Sequence, residues 1–385
     1  MIKVFAFKLY DNPKKKKALL QQILIAAEIY NHCIALHKKY YQLTGQYLSQ
    51  AQLKKHITKL KRRPQYAHWK KLGSQAIQDI VERIDRAYKL FFKATKKKSK
   101  GLSRRVSPPN FKKSRKYKSF TLKQAGYELL GENKIRIGDK VYTYWNSREI
   151  QGKIKTVTVK RDALGDIHLY IACEVPETSQ NRIMTGKSAG CDFGLKTFLT
   201  LSDGTTEQSP LFYNKGLKKL RTASKDLSSK AKGSNNRERA RRDVARKHKK
   251  VVNQRKDYLF KTAQKLTKEY DNLFFEDLSL QGMQKLWGRK VSDLSQGEFL
   301  KTVQYYGKQN GSKVNLIDRF YPSSKTCHNC QYVKEGLALA DRTWQCPDCK
   351  MVHDRDLNAA INIKNVGAST FGLGDVRPTQ LAISA

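Results

Sequence analysis

The chain has 385 residues with 39% hydrophobic and 10% aromatic content, enough to bury the cores of roughly two to four domains and too much for a disordered polyelectrolyte. Lys and Arg number 77 against 33 Asp and Glu, a formal net charge of +44, so the surface repels itself unless an acidic polymer neutralises it. The opening MIKVFAFKLYDNPKKKK is too polar for a secretory leader, and no spanning apolar run or lipid-anchor motif stands out, which favours DNA or RNA over a membrane as the partner.

Residues 2–9, IKVFAFKL, alternate weakly and read as a strand. Asn12-Pro13 opens a helix in which Leu20, Ile23, Ala27, Tyr30 and Ile34 recur at helical spacing, and Gly45 closes it. Ser49 with Gln52 three residues on is a capping box for a second helix, which runs into the basic KLKRRP at 59–64. A third begins near Ser74 and aligns Ile77, Ile80, Val81, Ile84, Tyr88 and Phe91. Residues 12–93 therefore read as a helical unit with one apolar seam. Residues 93–118 carry twelve Lys or Arg and no acid, broken by Pro108-Pro109. A solvated linker is one reading. The charge of the whole chain favours a phosphate-tracking segment, with Lys112, Lys113, Arg115 and Lys116 as contacts and Phe111 and Tyr117 free to stack.

From about 119 to 178 the pattern turns to strands. KIRIGDKVYTYW (134–145) and KIKTVTVKRDALGDIHLYIACEV (153–175) alternate, and Gly165-Asp166 marks a hairpin turn. The strand at 2–9 could join this antiparallel unit across the helical insert. Residues 179–187 are a polar connector. SAGCDFGL (188–195) then opens a new unit: an apolar approach ends in Asp192, and TFLTLSDG (197–204) forms its paired strand. Residues 210–267 read as long basic helices broken near Gly233. Ten Lys or Arg against two acids over 237–256 suit a nucleic-acid face better than a solvated hairpin. EYDNLFFEDLSL (269–280) is a strand ending in Glu276 and Asp277. A helix from about Asp293 to Tyr306 follows, with Phe299, Leu300, Val303 and Tyr306 on one side, and then a strand in VNLIDRFYP (314–322). The tail after Gly367 looks loosely structured.

Cys327, Cys330, Cys346 and Cys349 are spaced C-x2-C-x15-C-x2-C. Two such knuckles satisfy one tetrahedral Zn²⁺ with no open position, so the site reads as structural. His353 reads as a neighbour rather than a fifth ligand. The remaining cysteines, Cys33, Cys173 and Cys191, are scattered on apolar stretches, which fits a reducing compartment. Phosphodiester cleavage by two Mg²⁺ needs carboxylates converging from separate elements. Asp192 and Glu276 each end a strand, and Asp356 opens a helix. Singly they could be a turn residue, a strand end and a cap; together, beside a zinc motif in a very basic chain, they point to a nuclease site.

The order GCDFG, then FFEDL, then SSKTCHNC…CPDCKMVHDRDLNAAINI resembles the TnpB family, transposon-encoded RNA-guided nucleases related to compact type V CRISPR effectors. The motifs cover roughly residues 185–365. SQAIQDIVERIDRAYKLFF (74–92) and PPNFKKSRKYKSFTLKQ (108–124) are similar to that family's recognition and wedge segments more loosely. The resemblance implies a multidomain α+β chain: an RNase H-like (RuvC-like) α/β nuclease domain with an inserted zinc ribbon, a wedge-type antiparallel β-barrel and a helical recognition lobe. On that pattern residues 1–11 supply the first barrel strand, 12–118 the helical lobe and basic linker, and 119–180 the wedge barrel. Residues 181–322 form the RuvC-like domain with a basic helical insertion at about 210–267, 323–352 the zinc ribbon, 353–367 the end of the RuvC-like domain and 368–385 a loose tail.

Carried over by position, the family's acids fall on Asp192, Glu276 and Asp356. Asp354 is the alternative to Asp356, which is preferred because it begins the amphipathic helix Leu357-Ala360-Ile361. The resemblance implies a cytoplasmic endonuclease that takes a guide RNA from the transposon end, one protein per RNA. It would read a short motif beside the target and cut both strands of complementary duplex DNA at one site, using two Mg²⁺ (with Mn²⁺ as a substitute) beside one structural Zn²⁺. Tyr47, Gln75, Gln78 and Thr121 are candidate readers of the flanking motif, or ordinary surface residues. The rival functions are a non-cleaving regulator of transposition or transcription and an unguided structure-specific nuclease.

Overall fold

The computed structural model describes residues 1–10, 12–98, 107–176, 184–278, 288, 293–338 and 340–372. The middle of the basic segment, most of the polar connector and most of the tail therefore lie outside the described residues. The chain divides into two compact units, Met1–Glu177 and Thr178–Ala385.

The first unit begins with β1 (Ile2–Tyr10), whose Phe5, Phe7 and Leu9 alternate into the core. Three helices follow: α1 (Pro13–Thr44), α2 (Gln50–Leu60) and α3 (Ser74–Lys98). The expected end signals operate. The Asn12 side chain accepts from the Lys15 amide at 2.9 Å, Ser49 and Gln52 form a reciprocal capping box, and Gly45 closes α1 at φ 66°. A 3-10 helix, Pro64–Leu72, sits where only a basic run was legible, and it buries Trp69 and Leu72. By length and composition α1 is apolar enough to cross a membrane, contrary to the reading that no such run exists. Its Ile23, Ile29 and Ile34 are instead fully buried in a core shared with α3 and the sheet.

That sheet has seven antiparallel strands in the order β2-β6-β7-β1-β5-β4-β3. They are β2 (Ser119–Leu122), β3 (Tyr127–Gly131), β4 (Lys134–Ile137), β5 (Lys140–Tyr144), β6 (Lys153–Arg161) and β7 (Ile167–Glu174), with β1 at the centre. The run at 134–145 is thus two strands, folded back at Gly138, which adopts φ 62°. β1 pairs β7 through Ile2–Lys8 and passes to β5 at Leu9 and Tyr10, so it joins the two halves. Among the described residues no ladder joins β2 to β3.

The second unit is built on a five-stranded sheet, β10-β9-β8-β11-β12. β8 (Ser188–Asp192), β11 (Asn272–Glu276) and β12 (Lys313–Ile317) run parallel; β9 (Thr197–Leu201) and β10 (Thr206–Gln208) return antiparallel. Side-chain alternation on β11 divides its faces. Leu273 and Phe275 join one cluster with Leu259 and Leu266 of α5 (Asn235–Glu269) and Phe299 of α6 (Gln296–Asn310). Phe274 joins another with Ile363 of α7 (Arg355–Thr370). α7 lies so close to β8 that a Cβ on Gly190 would stand 2.1 Å from the Ala360 carbonyl oxygen.

Helix α4 (Phe212–Ser229) packs against α5 to form the basic insertion, but the C-terminal half of α5 belongs to the core under the sheet. Asp293 does not start α6 as expected. It is buried, accepts from the Tyr213 and Asn214 amides at 3.0 and 3.2 Å, and pairs with Arg255 at 3.0 Å. It therefore caps α4 from a distance and pins the insertion to the core.

Candidate active site and metal centre

β8 and β11 are adjacent and parallel with Cys191 opposite Phe275, so Asp192 and Glu276 emerge at the same strand ends. Asp356 stands in the first turn of α7. Burial, then the negative charges of Glu276 and Asp356, push the Asp192 carboxyl up to about 8, against the pull of Arg355. The trio thus shares one electrostatic site. Burial also raises Glu276, although the Ser323 hydroxyl donates to its carboxylate and opposes the shift. Arg342 Nη1 lies 3.4 Å from both Asp356 oxygens. Asp354 is spent differently. Its carboxylate accepts from the Leu357 amide at 2.9 Å and caps α7, whereas Asp356 interacts with Asp192. Asp277 is engaged by Arg319, at 2.6 Å from Nη2.

Sequence reasoning missed the braces around this trio. Asn358 and Asn362, one turn apart on α7 and both buried, donate to the Thr326 carbonyl at 2.7 and 2.6 Å. Asn362 also donates to the Ser323 carbonyl at 2.8 Å, and Asn358 Oδ1 accepts the His328 amide at 3.0 Å. The helix that carries Asp356 therefore grips the chain on both sides of Cys327, and that chain reaches Glu276 through Ser323. The spacing of the two asparagines in DLNAAINI was the available signal.

The four cysteines come together, with all sulfurs within 4.8 Å of one another. The two knuckles are built alike. Gln331 and Lys350, each just after a second cysteine, adopt φ 66° and 63°. Their amides donate to the Cys327 and Cys346 carbonyls at 2.9 and 3.1 Å. Cys327–Cys349 and Cys330–Cys346 sulfurs are 3.6 and 3.5 Å apart, far beyond a disulfide bond. Four thiolates on one ion at about 2.3 Å would lie roughly 3.8 Å from each other, so the donor set fits a tetrahedral metal. His353 Nε2 lies 3.0 Å from the Cys327 sulfur, a neighbour as expected. A hairpin of β13 (Thr343–Gln345) and β14 (Val352–Asp354) completes this module and leads straight into α7. Asp162, Asp166 and His168 form a second compact group, but Asp166 already holds Lys8 at 2.9 Å.

The expected nucleic-acid contacts divide. Lys112, Lys113, Arg115 and Lys116 are exposed, on a segment docked to α1 by mutual Asn31–Lys112 bonds of 2.9 Å. Tyr117 is not free to stack: it is 6% exposed, packed on Tyr30 in the core. Tyr47 donates to Asp85 at 2.8 Å and packs on His37 and Tyr88, so its hydroxyl is engaged. Thr121 shares a 2.9 Å bond with Thr158, Gln75 is half-buried, and Gln78 is exposed.

Comparison with known proteins bears on this geometry. A family model described as a probable transposase (OrfB_IS605) matches residues 170–286, and one described as the Cas12f1-like TNB domain matches 297–363. A Streptomyces pristinaespiralis protein, provisionally named an RNA-guided DNA endonuclease, is 29% identical over 380 residues, covering 98% of this chain and 92% of its own. A TnpB-like protein of Acanthamoeba polyphaga mimivirus is 27% identical over 230 residues, 55% of this chain and 43% of its own. The chain is similar to the TnpB family over both the acids and the cysteines. The two family models meet on the candidate site: Asp192 and Glu276 fall within the first, the cysteines and Asp356 within the second. A solved structure titled as a Cas12f1–sgRNA–target DNA complex shares the fold, with a TM-score of 0.59 at 14% identity over 92% of this chain and 83% of that one.

Proposed function

We propose that this protein is an RNA-guided DNA endonuclease that hydrolyses phosphodiester bonds at Asp192, Glu276 and Asp356. The observation that carries the reading is the meeting of three acids from two parallel strand ends and one helix start, in a chain related to proteins named as RNA-guided endonucleases. The strand order, three antiparallel strands followed by two parallel ones beside the first, supports an RNase H-like reading of the second unit.

The trio's hard oxygen donors suit Mg²⁺. The raised Asp192 carboxyl marks a place where negative charge is crowded and a divalent cation would relieve it. When bound, such ions would activate water and stabilise the leaving oxygen. The chain's own residues do the rest. Asp192 and Glu276 are held by the ladder, Asp356 by the helix start, and Ser323 fixes the Glu276 carboxylate. The cysteine cluster would hold one Zn²⁺, keeping the ribbon folded and, through Asn358 and Asn362, registered against α7.

In this reading the partners are a guide RNA from the transposon end and duplex DNA bearing an adjacent motif. The exposed Lys112–Lys116 run and the basic hairpin supply phosphate contacts. The cytoplasm is the site of action, consistent with seven free cysteines. Asp192→Ala should abolish cleavage while leaving RNA and target binding within about twofold, measured by gel shift and cleavage on the same sample. Undiminished cutting by that variant would remove Asp192 from the site.

A further inference from the structure

The loop between β12 and the first knuckle starts and finishes at Glu276. Ile317 lies opposite Glu276 in the ladder, and Ser323 donates to the Glu276 carboxylate. The five residues between them are tied down. Asp318 Oδ1 accepts the Phe320 amide at 2.6 Å, and its carbonyl accepts the Tyr321 amide at 3.4 Å. Arg319 donates from Nε to the Asp277 carbonyl at 2.7 Å and from Nη2 to its carboxylate at 2.6 Å. Tyr321 packs beside Phe274 and Ile363 under α7. At the crown of this braced loop the Phe320 side chain is 88% exposed, the most exposed large apolar side chain among the described residues.

These bonds brace the backbone on both sides of the ring, and leaving the ring in water forgoes hydrophobic stabilisation. By itself it is too small to make up a protein interface. One ring offers at most about 250 Å², against about 800 Å² per partner in a stable interface. A planar π face matches the face of a single base. At about 3.8 Å per residue, Phe320 lies within roughly 11 Å of Ser323 in Cα distance, about three nucleotides of a DNA strand.

We propose that Phe320 is a stacking platform for one unpaired base of the DNA strand entering the acid site. The inference rests on the nuclease reading and adds a positioning contact to it. Because every base has a π face, the contact would seat the strand without reading sequence, leaving recognition to base pairing. Arg319 beside it, held by Asp277, keeps its charge next to the strand path.

The test uses protein loaded with the RNA that co-purifies with it, and a duplex complementary to that RNA. Phe320→Ala and Phe320→Leu should slow cleavage by about 5- to 150-fold, the worth of one base–aromatic stack, while Phe320→Trp restores it. RNA binding should not change. An abasic site should be moved through each strand near the cut and strand affinity measured in an Asp192→Ala background, where nothing is consumed. At one position the abasic loss should equal the Phe320→Ala loss, and combining the two should add nothing further. Losses that add at every position, or a Leu variant that works as well as Phe, would overturn the stacking role. Wild-type cleavage reports on the nuclease reading, while the affinity cycle decides on Phe320 even if the wild type does not cut.

Discussion

At the residue scale the site is a concentration of negative charge held by polar braces. Asp192 illustrates what that costs. Its folded carboxyl sits at about 8, against about 3.9 in an unfolded chain. The folded state therefore binds this proton more tightly. The resulting stabilisation is fully present below the unfolded value and is lost as pH rises through the folded one. Melting curves of metal-free protein should fall between about pH 5 and pH 8, and the fall should be shallower in Asp192→Asn, which has no proton to lose. Added Mg²⁺ should raise the melting temperature more at pH 8 than at pH 6; equal gains at both would mean that Asp192 does not bind the ion. Ser323 makes a separate prediction. Removing a partner that orients a metal-binding group commonly costs 10- to 100-fold. Ser323→Ala should lower kcat by about that factor with RNA affinity intact, and Ser323→Thr should restore most of it. A Thr variant as poor as Ala would assign Ser323 to packing instead.

At the element scale the cysteine module and α7 behave as one piece. β14 runs directly into α7, Asp354 caps it, Asn358 and Asn362 bind the Thr326 carbonyl before Cys327, and Asn358 accepts the His328 amide after it. A metal bound by the knuckles should therefore matter to an acid site it does not touch. Purified protein should contain one zinc per chain by elemental analysis. Its removal should expose the β13–β14 hairpin and the first turn of α7 to hydrogen exchange and suppress cleavage together. Exchange confined to the hairpin would break the proposed coupling. Much at this scale was legible in the sequence. Pro13, Gly45 and the Ser49–Gln52 box act locally, so their positions can be read from a few residues. The knuckles were legible because the ligand spacing is itself the geometry. What escaped depends on partners distant in sequence. Asp293 looks like a helix start but caps α4, 79 and 80 residues away. Tyr117 looks like a free aromatic in a basic run but packs on Tyr30. The burial of α1 depends on strands that come a hundred residues later.

At the scale of the whole molecule, a net charge of +44 on a folded chain sets the kind of partner, and in the proposed function the acid trio sets what is done to it. Within the second unit the intrahelical pairs of Glu238 with Arg241 and Arg242, and of Asp243 with Arg246 and Lys247, engage both acids of the 237–256 run, yet ten cations against two acids leave the run strongly positive. Such pairs are worth little individually, so the surplus charge is the feature that counts. Charge alone, however, would bind any nucleic acid. Guided cutting requires that the bound RNA choose the DNA. The most direct measurement is cleavage in Mg²⁺ by protein purified with its native RNA, on a duplex matched to that RNA and on a scrambled duplex of equal length. The account predicts that the matched duplex alone is cut, and that Asp192→Ala cuts neither. Equal cutting of both duplexes would contradict it.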